Sequence, residues 1–299
     1  MQKNKAKPFV KWAGGKTNLL DSIEHKIPYD RKDSFTYIEP FVGSGAVLFQ
    51  VLNNYPNLKK VVINDINSDL INTYKTIVNS VDELVDLLKT WETEYHNLSS
   101  DKDKKKTYFY SKRELFNTRK SSEIIQSAVF LFLNRTCFNG LYRVNRKNEF
   151  NVPIGSYKKP GICNEDNLKL ASKLLQNITI LNVDYTETFN YADGKSVFYL
   201  DPPYKPLNET SNFNSYAKDE FDDKEQIRLK KFCDLLNSHK HPWILSNSDV
   251  KNTELNDNFF DDLYKTYKID RVTARRNINS VGKKRGKISE LLISNIENG

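Results

Sequence analysis

The stretch FTYIEPFVGSGAVLFQVL, Phe35 to Leu52, decides the fold. It opens as a short apolar run stopped by Pro40 and continues through Gly43 and Gly45. Val47, Leu48, Val51 and Leu52 then share one side of a helical pattern. Strand, turn and helix follow in that order. After the Pro56-Asn57 break, KVVIN at 60–64 is nearly continuous in Val and Ile, as a strand buried on both faces must be, and it ends at Asp65. Residues 35–65 therefore read as a βαβ unit with a glycine turn after its first strand and an acid after its second.

Beyond Asp69 the pattern turns helical. Ser80 and Glu83 predict a capping box ahead of Val81, Leu84, Val85, Leu88 and Trp91 at helical spacing. The charged DKDKKK at 101–106 reads as a loop between helices, and Ile124 to Leu133 as a further apolar helix. CFNGLYRVNRKNEFNVPIG at 137–155, with Asn-Gly, Pro, Gly and interspersed aromatics, reads as loop and hairpin. After Leu168 to Leu175 the strand and helix alternation resumes with ITILNVD, SVFYLDPPY and HPWILSNSD. The expected fold is α/β, a Rossmann-like parallel sheet built from 1–69 and 175–299 and interrupted by a mainly helical insertion over 70–174.

The chain has 299 residues, a formal charge of +8 and a pI near 9.1. Two tracts concentrate that charge. Arg271 to Ser289 holds seven basic residues, Arg275, Lys283 and Arg285 among them, and no acid; Arg135 to Lys159 holds six against Glu149 alone. Such tracts point to a polyanion, most plausibly nucleic acid. No run of eighteen apolar residues is present, and MQKNKAKPF lacks the apolar core of a signal peptide, so a cytoplasmic protein without a membrane partner is expected. Cys137, Cys163 and Cys233 are far apart and histidines number four, so neither a disulfide framework nor a metal site is expected.

WAGGKTNLL, Trp12 to Leu20, contains Gly15-Lys16-Thr17, the ending of a triphosphate-binding loop. That loop needs a second glycine five residues before Gly15, and the position is Val10. Lys16 must serve another ligand. In open α/β sheets a ligand sits beyond the carboxyl ends of the strands, where glycines admit it closely and an acid accepts from ribose hydroxyls. Gly43, Gly45 and Asp65 fit. The third glycine of the dinucleotide fingerprint would fall at Leu48, and Glu39 beside the turn is a poor neighbour for a pyrophosphate. A ribosyl ligand that carries positive charge, such as S-adenosylmethionine, suits that acidic rim.

SVFYLDPPY places Asp201, Pro202, Pro203 and Tyr204 at the end of a strongly apolar strand on the same sheet edge. An exocyclic amine on a nucleobase is a poor nucleophile because its lone pair is drawn into the ring. Two acceptors, the Asp201 carboxylate and the Pro202 carbonyl, can hold its N–H groups and localise that lone pair towards a methyl donor. Two prolines make a stiff turn without competing donors, and Tyr204 offers a face for an unstacked base. No cysteine has a proline neighbour, which leaves direct transfer to nitrogen rather than a covalent route to ring carbon. Adenine and cytosine both remain possible targets of this logic, as does a DNA-binding regulator without activity. The chemistry requires an Asp201 side chain that faces a cavity shared with Trp12 and Asp65.

These residues together resemble the Dam-type, alpha-class (D12) DNA adenine N6-methyltransferases over nearly the whole chain. FVKWAGGK at 9–16, EPFVGSG at 39–45, NDIN at 64–67, DPPY at 201–204 and RGKISELLI at 285–293 are similar to family motifs in family order. The resemblance implies an S-adenosylmethionine-dependent methyltransferase sheet with an inserted target-recognition domain. It implies cofactor contacts from Trp12, Ala13, Gly14, Gly15 and Lys16, and from Glu39, Pro40, Phe41, Gly43 and Gly45. Asp65, Ile66, Asp184, Tyr185 and Asp201 complete that set, with Asp184 near the cofactor adenine.

FNGLYRVNRKNEFNVPIGSYKKP at 138–160 is similar to the hairpin of members that methylate adenine in GATC. Arg143 has the donors for a guanine edge, Leu141 and Pro153 suit thymine methyls, and Phe138 suits a wedge in the base stack. Asn139 and Asn145 are candidates for base edges or phosphates, Lys158 for phosphate, and Lys11, Tyr157, Arg275, Lys283 and Arg285 for further DNA contacts. Ser156 stands where an arginine is expected and removes one contact. Double-stranded DNA is the expected partner of a monomeric enzyme. Whether a companion restriction endonuclease shares its site is left open.

Overall fold

A computed structural model of the chain describes residues 5–98, 100–204, 221–275 and 287–296; the side chains of 274–275 and 287–288 are not described. Lys283 and Arg285, and the side chain of Arg275, thus lie outside the described residues.

The strands are β1 (Thr36–Glu39), β2 (Lys60–Asn64), β3 (Thr179–Leu181), β4 (Ser196–Leu200), β5 (Trp243–Ser248), β6 (Lys268–Arg275) and β7 (Lys287–Ser294). They form one sheet in the order β3-β2-β1-β4-β5-β7-β6. Strands β1 to β5 pair in parallel, while β7 runs antiparallel to both β5 and β6. This is a Rossmann-like α/β sheet. The antiparallel edge departs from the expected parallel sheet, and its cause is chain length: a parallel partner needs a long crossover, whereas β6 and β7 are separated only by 276–286. From β1 the chain moves outward through β2 to β3 and returns to place β4 on the other side of β1. The β1/β4 junction is therefore the switch point where a ligand cleft opens.

Alternation along the strands divides the core. Tyr37, Val61, Ile63, Val197, Tyr199, Ile244 and Leu292 belong to one apolar cluster, and Ile38, Val62, Phe198, Leu200, Trp243, Leu245, Leu291 and Ile293 to a second. The helices flank these layers: α1 (Leu20–Glu24) and α2 (Ala46–Asn54), then α3 (Ser68–Asn79), α4 (Val81–Asn97), α5 (Lys102–Thr118), α6 (Glu123–Thr136) and α7 (Glu165–Leu175), and later α8 (Asp223–Ser238) and α9 (Phe259–Leu263). The first cluster continues from the sheet into α3, α4, α5 and α6, so the helical segment shares the sheet's core. No described helix is long and apolar enough to cross a membrane.

Two local expectations are corrected. Residues 101–106 are not a loop: Asp101 caps α5 by accepting from the Lys104 N–H at 3.0 Å, and the lysines form its first turns. Lys105 is buried, donating to the Tyr157 and Lys158 carbonyls at 2.9 and 2.6 Å over the Tyr95 ring, and burial pushes its pKa down. Nor does Ser80 form a side-chain cap, because it closes α3 and opens α4 at once, in a conformation set by the junction.

Two buried amides stitch the elements that carry the cleft. Asn64 donates to the Pro40 and Val183 carbonyls, each at 3.0 Å, and accepts from the Val183 N–H, tying the ends of β1, β2 and β3. On α6, Asn134 accepts from the Lys11 N–H and donates to the Lys11 and Gly140 carbonyls, which locks the Lys11–Trp12 segment against the hairpin. Truncation at this buried site strands three backbone groups. Asn134→Ala is expected to destabilise the protein by about 3 kcal/mol. Urea unfolding should show a lower midpoint at unchanged slope, and an unaltered midpoint would contradict the assignment.

Candidate active site

At the carboxyl end of β1, Glu39 is buried and accepts from the Tyr37 hydroxyl at 2.7 Å, both side chains lying on one face of the strand. The chain then turns through Gly43 and Gly45 with φ of +48° and +74°, which glycine adopts without strain. Close neighbours also forbid a side chain there: a Cβ on Gly45 would lie 2.5 Å from the Tyr74 hydroxyl, and one on Gly43 3.2 Å from the Trp12 indole. Asp65 accepts from the Gly43 and Asn67 N–H groups at 3.0 and 2.9 Å, holding the turn closed.

Beside this turn lies a narrow cleft lined by Trp12 to Lys16, Glu39, Val42, Gly43, Ser44, Tyr199 and Asp201 among others. The Lys16 ammonium is buried in it. It donates to the Gly14 carbonyl at 2.6 Å, pairs with Asp201 Oδ1 at 2.8 Å, and stands 4.5 Å from the centre of the Tyr204 ring. Asp201 is thus in a salt bridge, yet it faces the cleft it shares with Trp12. Asp65 sits at the rim, beneath the glycine turn rather than in the lining.

Asp201 Oδ1 also accepts from the Ser246 hydroxyl at 2.9 Å. Because that hydroxyl donates to Asp201, the buried Tyr199 hydroxyl at 2.9 Å is left as the donor to Ser246. Asp201 Oδ2 and the Pro202 carbonyl accept no hydrogen bond among the described residues, while Pro203 accepts from the Gln226 amide at 3.3 Å. Tyr204 donates its hydroxyl to Glu290 on β7 at 2.8 Å.

The electrostatics follow from this crowding. Burial pushes Glu39 well above the usual carboxylate range; the Tyr37 hydrogen bond opposes that rise, the negative Asp201 and Asp65 add to it, and Lys16 opposes it. Burial likewise raises Asp65, against its backbone donors, and Asp201, against Lys16 and Ser246. The lining thus carries two carboxyls, Glu39 and Asp201, beside one lysine. Among the described residues, no group of three or more His, Cys, Asp or Glu is placed to hold a metal.

The family model for D12 class N6 adenine-specific DNA methyltransferases matches residues 12–278. The chain belongs to that family. It is 49% identical over 294 residues to the "Type II methyltransferase M.MjaIII" of Methanocaldococcus jannaschii, covering 97% of this chain and 99% of that protein. It is 38% identical to a "DNA adenine methylase" of Haemophilus influenzae, covering 97% and 94%, and 36% identical to one of Escherichia coli, covering 98% and 95%. The protein is an adenine-specific DNA methyltransferase, which resolves the choice against cytosine and against a regulator without activity.

In this methyltransferase several sequence-read positions lie apart from the cleft. Asp184 pairs with Arg228 at 2.7 Å and accepts from Thr186, which holds its pKa down against burial. Tyr185 is buried against Phe41, Phe221 and Phe232 in the second apolar cluster. Pro40 contributes its carbonyl to Asn64, and Ile66 is 73% exposed beside Asp65. Of the basic tracts, Arg271 spends its charge on Asp249 and Asp261, and Arg135 donates to the Phe9 carbonyl. Arg271 is therefore removed from the charge read as facing a polyanion.

The hairpin segment of the methyltransferase presents Phe138, Asn139, Leu141, Pro153 and Lys158 to solvent, with Phe138 at 51% and Leu141 at 41% exposure. Arg143 gives its Nε to Asn151 at 2.7 Å. Asn145 is committed within the hairpin: its oxygen accepts from the Lys147 and Glu149 N–H groups and its amide donates to Glu149. Lys11 lies over the Tyr157 ring at 4.6 Å.

Sequence reading missed Ser246, Glu290, Tyr74 and Asn134. The polar run SNSD at 246–249 in a buried strand was a usable signal, since buried polar groups demand partners.

Proposed function

We propose that the enzyme moves a methyl group from S-adenosylmethionine to N6 of an adenine turned out of duplex DNA, within the sequence GATC. One observation carries the chemistry: a nitrogen, that of Lys16, is already seated between the Asp201 carboxylate and the face of Tyr204. An adenine amino group needs the same two neighbours. Lys16 keeps its Gly14 acceptor when the target amine takes that place, and Asp201 Oδ2 and the Pro202 carbonyl receive its two N–H groups. The lone pair is then localised out of the ring plane. Ser246 orients Asp201, and burial, which raises its pKa, suits the carboxylate to receive the proton that the amine gives up. Tyr204 supports the base by stacking.

S-adenosylmethionine, when bound, supplies an electrophilic methyl group on a sulfonium. The residues fit it: the carboxyls of Glu39, Asp65 and Asp201, when ionised, supply the negative field a sulfonium and an ammonium need, and the exposed Ile66 offers an apolar face to a flat ring. Trp12, Ala13, Gly14 and Gly15 would line the same ligand, with Asp184 and Tyr185 outside the cleft near its adenine end. Residues 70–174 would serve as the target-recognition part and 1–69 with 175–299 as the catalytic part.

The GATC reading rests on the hairpin. Arg143 retains both terminal nitrogens for a guanine edge, Leu141 and Pro153 stand exposed for thymine methyls, and Phe138 is free to enter the stack. Asn145 shapes the loop, while Asn139, Lys158, Lys11 and Tyr157 lie where phosphates or base edges would be met. The Type II name of the archaeal relative is compatible with a companion endonuclease acting on the same site.

Asp201→Ala is expected to abolish methyl transfer, by at least about a thousandfold, while calorimetry still detects S-adenosylmethionine; undiminished transfer of labelled methyl groups would end the catalytic assignment. Arg143→Ala should cost about 1–3 kcal/mol on GATC duplexes and little on random ones. Equal losses on both would make Arg143 a phosphate contact. The third expectation concerns acid. The raised carboxyls carry their charge only above their raised pKa values, so cofactor affinity falls on acidification while the pH is still above the ordinary carboxylate range. Glu39→Gln should lower the affinity reached at the alkaline end of that profile about tenfold and flatten its acid limb. Wild-type affinity that stays level on acidification counts against the electrostatic reading.

A further inference from the structure

We infer that Glu290 is a positioning residue for methyl transfer, acting through Tyr204 to fix the plane on which the target base lies. The inference rests on the proposed base-stacking role of Tyr204.

Glu290 lies on β7, opposite Ser248 of β5 and Val272 of β6, so its backbone is bonded on both sides and cannot shift alone. Along β7 it alternates with Leu291 and shares a sheet face with Leu292, whose cluster also holds Tyr199 and Ile244. That face carries the cleft. From there the Glu290 carboxylate accepts the Tyr204 hydroxyl at 2.8 Å, across 86 residues of sequence. At that length it is a well-formed O–H···O hydrogen bond, the phenol donating and the carboxyl oxygen accepting.

Tyr204 follows two prolines. Its ring has two side-chain torsions to fix. Pro202 and Pro203 stiffen the backbone but leave those torsions free, whereas a hydroxyl held by a strand of the sheet removes that freedom. The held ring presents a face towards Lys16, the place assigned to the target amine. A base resting on that face inherits its orientation from Glu290. A loosened ring would still accept a base but would present its amine to Asp201 in fewer productive geometries, which lowers turnover more than binding.

The test uses the full-length enzyme and a duplex with 2-aminopurine at the target adenine for fluorescence, with an unmodified duplex for kinetics. Glu290→Ala should lower kcat about tenfold with KM for DNA and the cofactor Kd within about twofold, and should change the emission of the bound 2-aminopurine. Glu290→Gln, which keeps an acceptor oxygen, should restore most of both. Tyr204→Phe should reproduce the loss, and adding Glu290→Ala to it should cost nothing more. Wild-type kinetics and emission in Glu290→Ala, or losses that multiply in the double variant, overturn the role of Glu290. A wild-type enzyme that leaves 2-aminopurine emission unchanged instead sinks the base-flipping reading beneath it, and the inference falls with it.

Discussion

A buried ammonium holds this site together. Lys16 lies almost wholly out of solvent, and an isolated charge there would be costly to desolvate. Its partners set the geometry of everything nearby: the Gly14 carbonyl curls the Trp12 to Lys16 segment back on itself, and Asp201 ties that segment to the end of β4. Of the carboxyls at the same edge, Asp201 is paired with this cation, while Asp65 is held by backbone N–H groups and Glu39 by the Tyr37 hydroxyl.

Strand alternation explains how the polar groups reach one place. Tyr37 and Glu39 on β1, Tyr199 on β4 with Asp201 just past its end, Ile244 and Ser246 on β5, and Leu292 and Glu290 on β7 occupy alternate positions on one sheet face. On each strand the apolar member lies deeper and the polar member nearer the edge where parallel strands end. Shifting any of these strands by one residue would send its polar member to the opposite face, into the second apolar cluster. Catalytic geometry and core packing are therefore fixed by the same register. The antiparallel course of β7 lets a C-terminal segment deliver Glu290 to the edge where β1, β4 and β5 finish.

Much of this was legible in the sequence because it depends on local signals. The βαβ unit of 35–65, the glycine turn, and DPPY at a strand end all follow from periodicity and turn chemistry, and they fall where expected. Groups whose meaning depends on distant partners were not legible. Ser246 and Glu290 become site residues only through pairing of β4, β5 and β7. Charge counting pointed to the nucleic-acid partner but could not apportion single residues: Arg271 is neutralised by Asp249 and Asp261 through tertiary contact, and Lys105, within a run that reads as loop, is a buried anchor for the 157–158 turn. A capping motif at Ser80 was overridden by the abutment of two helices.

The interleaving of sheet and helical segment has a consequence for how the enzyme's parts communicate. Tyr142 lies between Leu141 and Arg143 on the hairpin, yet its ring stacks on Trp12 in the cleft at 5.5 Å and its hydroxyl donates to Asp69 at the start of α3. Asp69 also pairs with Arg119, whose other nitrogen donates to the Asn148 carbonyl in the hairpin turn. Asn134 binds the backbone on either side of the same junction. The hairpin and the cleft are thus two surfaces of one packed unit, in which a displacement of Tyr142 must be matched by Trp12. Close packing transmits such displacements rather than absorbing them, so the exposed face of the hairpin and the cleft hold their relative geometry through side chains that belong to both.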